Sequence, residues 1–154
     1  MGNDQETAGA DEALADRLAI HELVGRYGYL YDERRIEEWL TDLFTPDAVL
    51  TRQVGDEPAT MSRGSVEIRA TLSPHYDANL AKGVQRRHMP SSVWIDEQAA
   101  DRAHAHAYML IMTTVPGKEP TRVAAAGHYE FDLVKRDRRW WIAAWKLGLD
   151  APPT

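Results

Sequence analysis

The sequence predicts an α+β domain. Three observations carry this reading. Apolar residues recur at helical spacing near the start, the period changes to two from Val84 onward, and the later segments are long runs joined by short polar turns.

Met1 to Asp11 (MGNDQETAGAD) is small, polar and acidic, and is expected to be a flexible tail before one domain over residues 12–150. From Ala15 to Ala48 the chain reads as a long amphipathic helix, a break, a short helix over about Arg35–Leu43, and a turn at Thr45-Pro46-Asp47. Leu18, Leu23, Val24, Tyr27 and Tyr31 form a stripe expected to face the core. Pro46 ends helical structure, and Ala48–Thr51 begins a strand. Gln53–Ser62, with Gly55, Asp56 and Pro58, is expected to be a turn or loop. Ser65–Leu72 predicts a short helix and Ser73–Gly83 a loop. Four strands follow, over about Val84–Asp96, Arg102–Thr114, Arg122–Arg136 and Trp140–Leu149. A sheet this long must curl around the helices, leaving a cone-shaped interior whose mouth suits a small molecule.

Composition narrows the partners. The chain has 154 residues, 44% apolar and 27% charged, as expected of one globular domain. No apolar run approaches the ~18 residues that span a bilayer, and no basic start leads into an apolar segment, so no membrane partner is expected and a cytoplasmic location is. A net charge of −6 argues against nucleic acid. With no cysteine, disulfides, zinc–thiolate sites and thiol catalysis are excluded. No GxGxxG, Walker-type loop, GxSxG or HExxH occurs.

The first helix ends in two tyrosines four apart, Tyr27 and Tyr31, with Asp32 next to them. Two phenols and a carboxylate near a buried surface fit a functional site, because a buried charge needs a partner. They also fit two core tyrosines and an aspartate capping the second helix. In the first long strand, alternation places His88, Pro90, Ser92 and Trp94 on one face, where a structural and a functional histidine are both open. In the next strand, His104 and His106 point the same way and could supply two legs of a metal site. No third ligand stands at suitable spacing, so no metal is expected and the pair is assigned to an exposed or subunit-facing surface. Tyr129, Phe131 and Leu133 share a face, with His128, Glu130 and Asp132 opposite. Trp140 and Ile142 are expected to face inward, and Trp141 and Trp145 outward at a homodimer contact with His104 and His106.

Together, ADRLAIHELVGRYGYLYD, LFTPDAV, RHMPSSVWID, GHYEFDLV and the closing WWIAAWKL resemble a SnoaL-like domain of the nuclear transport factor 2-like superfamily, over about Ala15 to Leu147. The resemblance implies the cone-shaped fold. In scytalone dehydratase and related lyases of this superfamily, an aspartate ending the first helix pairs with a histidine on the third strand, positions matched here by Asp32 and His88. Catalytic and pocket tyrosines match Tyr27 and Tyr31. Other pocket positions fall at Ser92, near Met112 and near Tyr129, and Trp94 shares the predicted face of His88. The implied function is a cofactor-independent acid–base enzyme acting on a hydrophobic, cyclic or polyketide-type small molecule. A dehydratase-type lyase comes first, a cyclase or isomerase next. A binding domain or a dioxygenase small-subunit-like domain is the alternative from another class.

Overall fold

The computed structural model describes residues 2–153, with side chains from residue 9 onward; the tail expected over residues 1–11 therefore falls mostly outside the described side chains. Helix α1 (Gly2–Asp32) is followed by α2 (Ile36–Leu43), β1 (Phe44–Val54), β2 (Thr60–Arg63) and α3 (Gly64–Ala81). Four long strands complete the chain: β3 (Gln85–Gln98), β4 (Arg102–Val115), β5 (Glu119–Arg136) and β6 (Arg139–Leu149). They form one curved six-stranded sheet in the order β2-β1-β6-β5-β4-β3, antiparallel except where β1 lies parallel to β6.

The helices close over the inner face of the sheet. Ile20, Leu23, Val24, Tyr27, Leu30 and Tyr31 of α1 are buried there, with Asp16 one turn earlier. Leu18 departs from the expected stripe: it is 64% exposed, and Ile20 takes the core position. The register is set by Asp16, whose carboxylate accepts from Trp140 Nε1 at 2.9 Å and pairs with Lys135 Nζ at 2.8 Å. A buried carboxylate with two such donors fixes the rotation of the helix more firmly than one leucine.

Tyr27 sits at the centre of the core. Its ring lies 5.0 Å from Trp145, 5.1 Å from Tyr129, 5.4 Å from Trp39 and 5.8 Å from Phe131, mostly edge-on. Such contacts add about 0.5–1.5 kcal/mol per pair beyond the apolar area they bury.

Three expectations are corrected. Trp145 does not face outward but is buried in this aromatic cluster. The reason is a bulge: Leu133 pairs with Ile142 and Asp132 with Ala144, so Ala143 is an extra residue and the inward row shifts from Ile142 to Trp145. Trp141 stays on the outer side, with the Arg139 guanidinium 4.3 Å above its ring. Secondly, α3 does not stop at Leu72 but continues through Pro74 to Ala81. Proline costs a helix about 3 kcal/mol through its missing N–H; Leu72 and Tyr76, packed on the core either side of it, offset that cost. Thirdly, the Gln53–Ser62 loop is shorter than expected, because Thr60–Arg63 pairs with β1 as an edge strand.

Candidate active site

α1 ends in a Schellman motif. Arg35 N–H donates to the Leu30 carbonyl and Arg34 N–H to that of Tyr31, with Arg34 in the left-handed region at φ 63°. This stop leaves Asp32 as the last helical residue, pointing at β3. A carboxylate at a helix C-terminus faces the negative end of the macrodipole and needs donors. It finds two on one residue: the His88 backbone N–H donates to Oδ2 at 2.5 Å, and His88 Nδ1 lies 2.6 Å from Oδ1. The side chains of His88 and Asp32 are 7% and 4% exposed. Asp32 therefore does not cap α2, whose N-cap is Arg35 without a side-chain bond.

Close approach of α1 to β3 makes this geometry possible, and Gly28 permits it. A Cβ at Gly28 would lie 3.1 Å from the His88 carbonyl oxygen and 3.3 Å from His88 Cβ. The Tyr31 ring meets the imidazole edge-on, centroids 5.1 Å apart, and holds it from the other side.

With Nδ1–H committed to Asp32, Nε2 is the nitrogen left to act in the cavity that His88 lines. That cavity measures about 430 Å³. Its apolar wall includes Ile111, Trp145, Leu147 and Leu149, with the phenols of Tyr27, Tyr31 and Tyr129 among them; Arg52, Thr60, Thr71, His75 and Arg86 supply polar groups. Burial pushes all three phenols up. Tyr31 rises to about 12, partly countered by the Arg86 guanidinium, and Tyr27 and Tyr129 stand well above the ordinary tyrosine value. All three are thus proton donors, not bases, at neutral pH. Burial and the neighbouring Arg86 lower His75, which hydrogen-bonds to the Arg86 guanidinium. Among the described residues, Trp145 Nε1 is buried without a hydrogen-bond partner.

The structure brings His88, Tyr27, Tyr31 and Tyr129 to this cavity, with Asp32 bonded to His88 behind its wall, and leaves out the other three predicted pocket residues. Ser92 and Trp94 are displaced by a bulge: Ser91 pairs with Tyr108 and Trp94 with His106, with Ser92 at φ 52°, so the inward row passes from Pro90 to Val93 and Ile95. Ser92 is exposed, and Trp94, 62% exposed, stacks on His106 on the outer face. Met112 is corrected for a simpler reason. The inward row of β4 is Ala103, Ala105, Ala107, Met109 and Ile111, and Ile111 reaches the cavity instead. Arg86, Trp145 and Ile111 line the cavity although the sequence reading placed none of them there. Arg86 was legible as the residue two before His88 on the same face; Trp145 was hidden by the β6 bulge.

The family signature of the SnoaL-like domain matches residues 12–146. The chain belongs to the SnoaL-like domain family. No curated protein matches it. Solved structures do. A nuclear transport factor 2-like protein with a cystatin-like fold from Novosphingobium aromaticivorans aligns with a TM-score of 0.77 at 20% identity, covering 94% of this chain and 88% of that one. A protein from the same organism, provisionally assigned as a scytalone dehydratase, aligns at 0.70 and 20% identity over 91% and 87%. A Catenulispora acidiphila protein in complex with S-DNPA aligns at 0.71 and 27% identity over 89% and 95%. The fold of this SnoaL-like chain is thus the cystatin-like, nuclear transport factor 2-like α+β cone. Among the described residues, no helix is long and apolar enough to cross a membrane.

Proposed function

We propose that this SnoaL-like domain is a cofactor-independent acid–base enzyme, a dehydratase-type lyase acting on a hydrophobic cyclic small molecule. The observation that carries the reading is the Asp32–His88 pair, bonded at 2.6 Å and opening onto the cavity. Asp32 holds Nδ1 protonated and stabilises the imidazolium that forms when Nε2 takes a proton. In a β-hydroxy carbonyl substrate, Nε2 removes the proton next to the carbonyl. The C–H electron pair becomes the new C=C bond as hydroxide leaves, and the leaving oxygen takes the abstracted proton back from the His88 imidazolium to depart as water, which regenerates the base. The raised phenols of Tyr27 and Tyr31 suit hydrogen-bond donation to the enolate or leaving oxygen.

The lining supports an apolar, flat substrate body, and the arginines Arg52 and Arg86 suit an oxygen-rich or anionic edge. A cyclase or isomerase would use the same proton abstraction with a different fate for the enolate. The neighbour in complex with S-DNPA supports use of this fold for ligand binding.

The test is a panel of aromatic and alicyclic β-hydroxy ketones, assayed for water loss and, in D2O, for exchange of the proton next to the carbonyl. Turnover or exchange that disappears in His88→Ala supports the proposal. Saturable ligand binding with neither reaction, unchanged in His88→Ala, would make the domain a binding module instead.

A further inference from the structure

A second cluster of imidazole and carboxylate groups lies on the outer face of the sheet, away from the cavity. His104 and His106 point outward from β4, and no third ligand is visible by counting along their own strand. It comes from β3. Ile95 pairs with Ala105 and Glu97 with His104, so Asp96 is an extra, bulged residue whose side chain is aimed across at both histidines. Asp96 Oδ1 lies 2.9 Å from His104 Nδ1, and Oδ2 lies 3.1 Å from His106 Nε2. One ligand atom from each of the three residues falls within 4.8 Å of the others.

We propose that Asp96, His104 and His106 form a binding site for a divalent transition metal of the zinc type. The donor set is two neutral imidazoles and one carboxylate, which suits this class of cation and leaves one position for water. Tetrahedral zinc with bonds of about 2.0–2.1 Å puts its ligand atoms roughly 3.3 Å apart, within small side-chain rotations of the arrangement seen. Two features go beyond a chance meeting of polar groups. With Nδ1 of His104 turned to Asp96, its Nε2 lies 3.7 Å from Asp132 Oδ1, one small rotation short of the carboxylate hydrogen bond that orients a metal-bound imidazole. The other ring is held as well: Trp94 stacks on His106 with centroids 5.3 Å apart and planes 23° from parallel. The ligand side chains are only partly exposed, at 25% for Asp96, 27% for His104 and 33% for His106, so water does not fully compete.

The experiment uses the untagged full chain, stripped with chelator and titrated with zinc chloride by calorimetry near pH 7.5. Expected is one equivalent bound at micromolar Kd or tighter, with a rise in Tm. Binding should weaken by about a hundredfold in His106→Ala or Asp96→Asn, and about tenfold in Asp132→Asn, as for a group that orients a ligand. In the wild-type chain, zinc should move the imidazole nitrogen resonances of His104 and His106 while leaving those of His88 in place, a readout that depends on no variant folding. Absence of saturable binding below millimolar zinc would overturn the site. So would binding undiminished in a folded His104→Ala/His106→Ala double variant, or resonance shifts confined to other histidines.

Discussion

On the inner face Asp32 serves one histidine; on the outer face Asp96 serves two. The inner pair is almost wholly buried, and its carboxylate is occupied by the backbone N–H and the Nδ1 of the same residue. Such an arrangement fixes one imidazole in one tautomer and presents a single free nitrogen to a cavity, which is what a base requires. In the outer cluster the carboxylate oxygens are divided between two rings that stand edge to face, 4.6 Å apart, with one nitrogen of each turned to the carboxylate. Convergence suits a cation. Number of partners and depth of burial, rather than residue type, separate the two sites.

The sharpest way to break this contrast is to remove the inner pair. His88→Ala and Asp32→Asn should each lower turnover at least about a hundredfold while leaving the fold intact. The double variant should cost far less than the product of the two, because the groups act as a unit. Additive losses with reduced Tm and unchanged turnover per folded molecule would make the pair merely structural. Removing the outer cluster should do the opposite: His106→Ala, or chelation of the wild-type protein, should leave turnover within about twofold, since the proposed proton transfers at the cavity use no metal.

A smaller effect is expected from the contact that lets the helix approach. Gly28→Ala must push α1 and β3 apart by a few tenths of an ångström, given the 3.1 Å separation from the His88 carbonyl. We expect about 1–3 kcal/mol of destabilisation in chemical unfolding, together with lower turnover at the cavity. The outer site should keep its zinc affinity.

The smallest effect concerns alkaline pH. An unfolded tyrosine titrates near 10; Tyr31 in the folded protein is raised to about 12. The folded state holds that proton more tightly, so this contribution is complete below about pH 10 and is lost as pH rises toward 12. Tyr31→Phe should therefore make the alkaline fall in stability shallower, by up to about 1.4 kcal/mol per pH unit over that window. An unchanged slope would show that Tyr31 titrates normally.

Much of this was legible in the chain. The change of period at Val84 gave four strands whose observed bounds agree to within a few residues, and the resemblance led to Asp32 and His88. The misplaced faces of Ser92, Trp94 and Trp145 and the unseen third partner of the histidine pair share one physical origin. Counting alternate residues assumes an unbroken register, and each single-residue bulge moves everything beyond it to the other face. Ala143 turned Trp145 inward, Ser92 turned Trp94 outward, and Asp96 left the ladder to meet two histidines. Bulges depend on pairing across strands, which no local pattern in Ser91-Ser92 or Ala143-Ala144 announces. Leu18 failed differently. Its helix is phased by the buried Asp16 and its partners Lys135 and Trp140, more than a hundred residues away.

If the proposal holds, Asp32 makes His88 a fixed base with Nε2 free. Imidazole nitrogen NMR on the full chain near pH 7 tests it without knowledge of the substrate. Expected for His88 is a protonated Nδ1 that exchanges slowly with solvent and an unprotonated Nε2, with this signature lost in Asp32→Asn and exposed His21 averaging freely as the internal control. A His88 ring protonated on Nε2, or averaging as freely as His21, would contradict it.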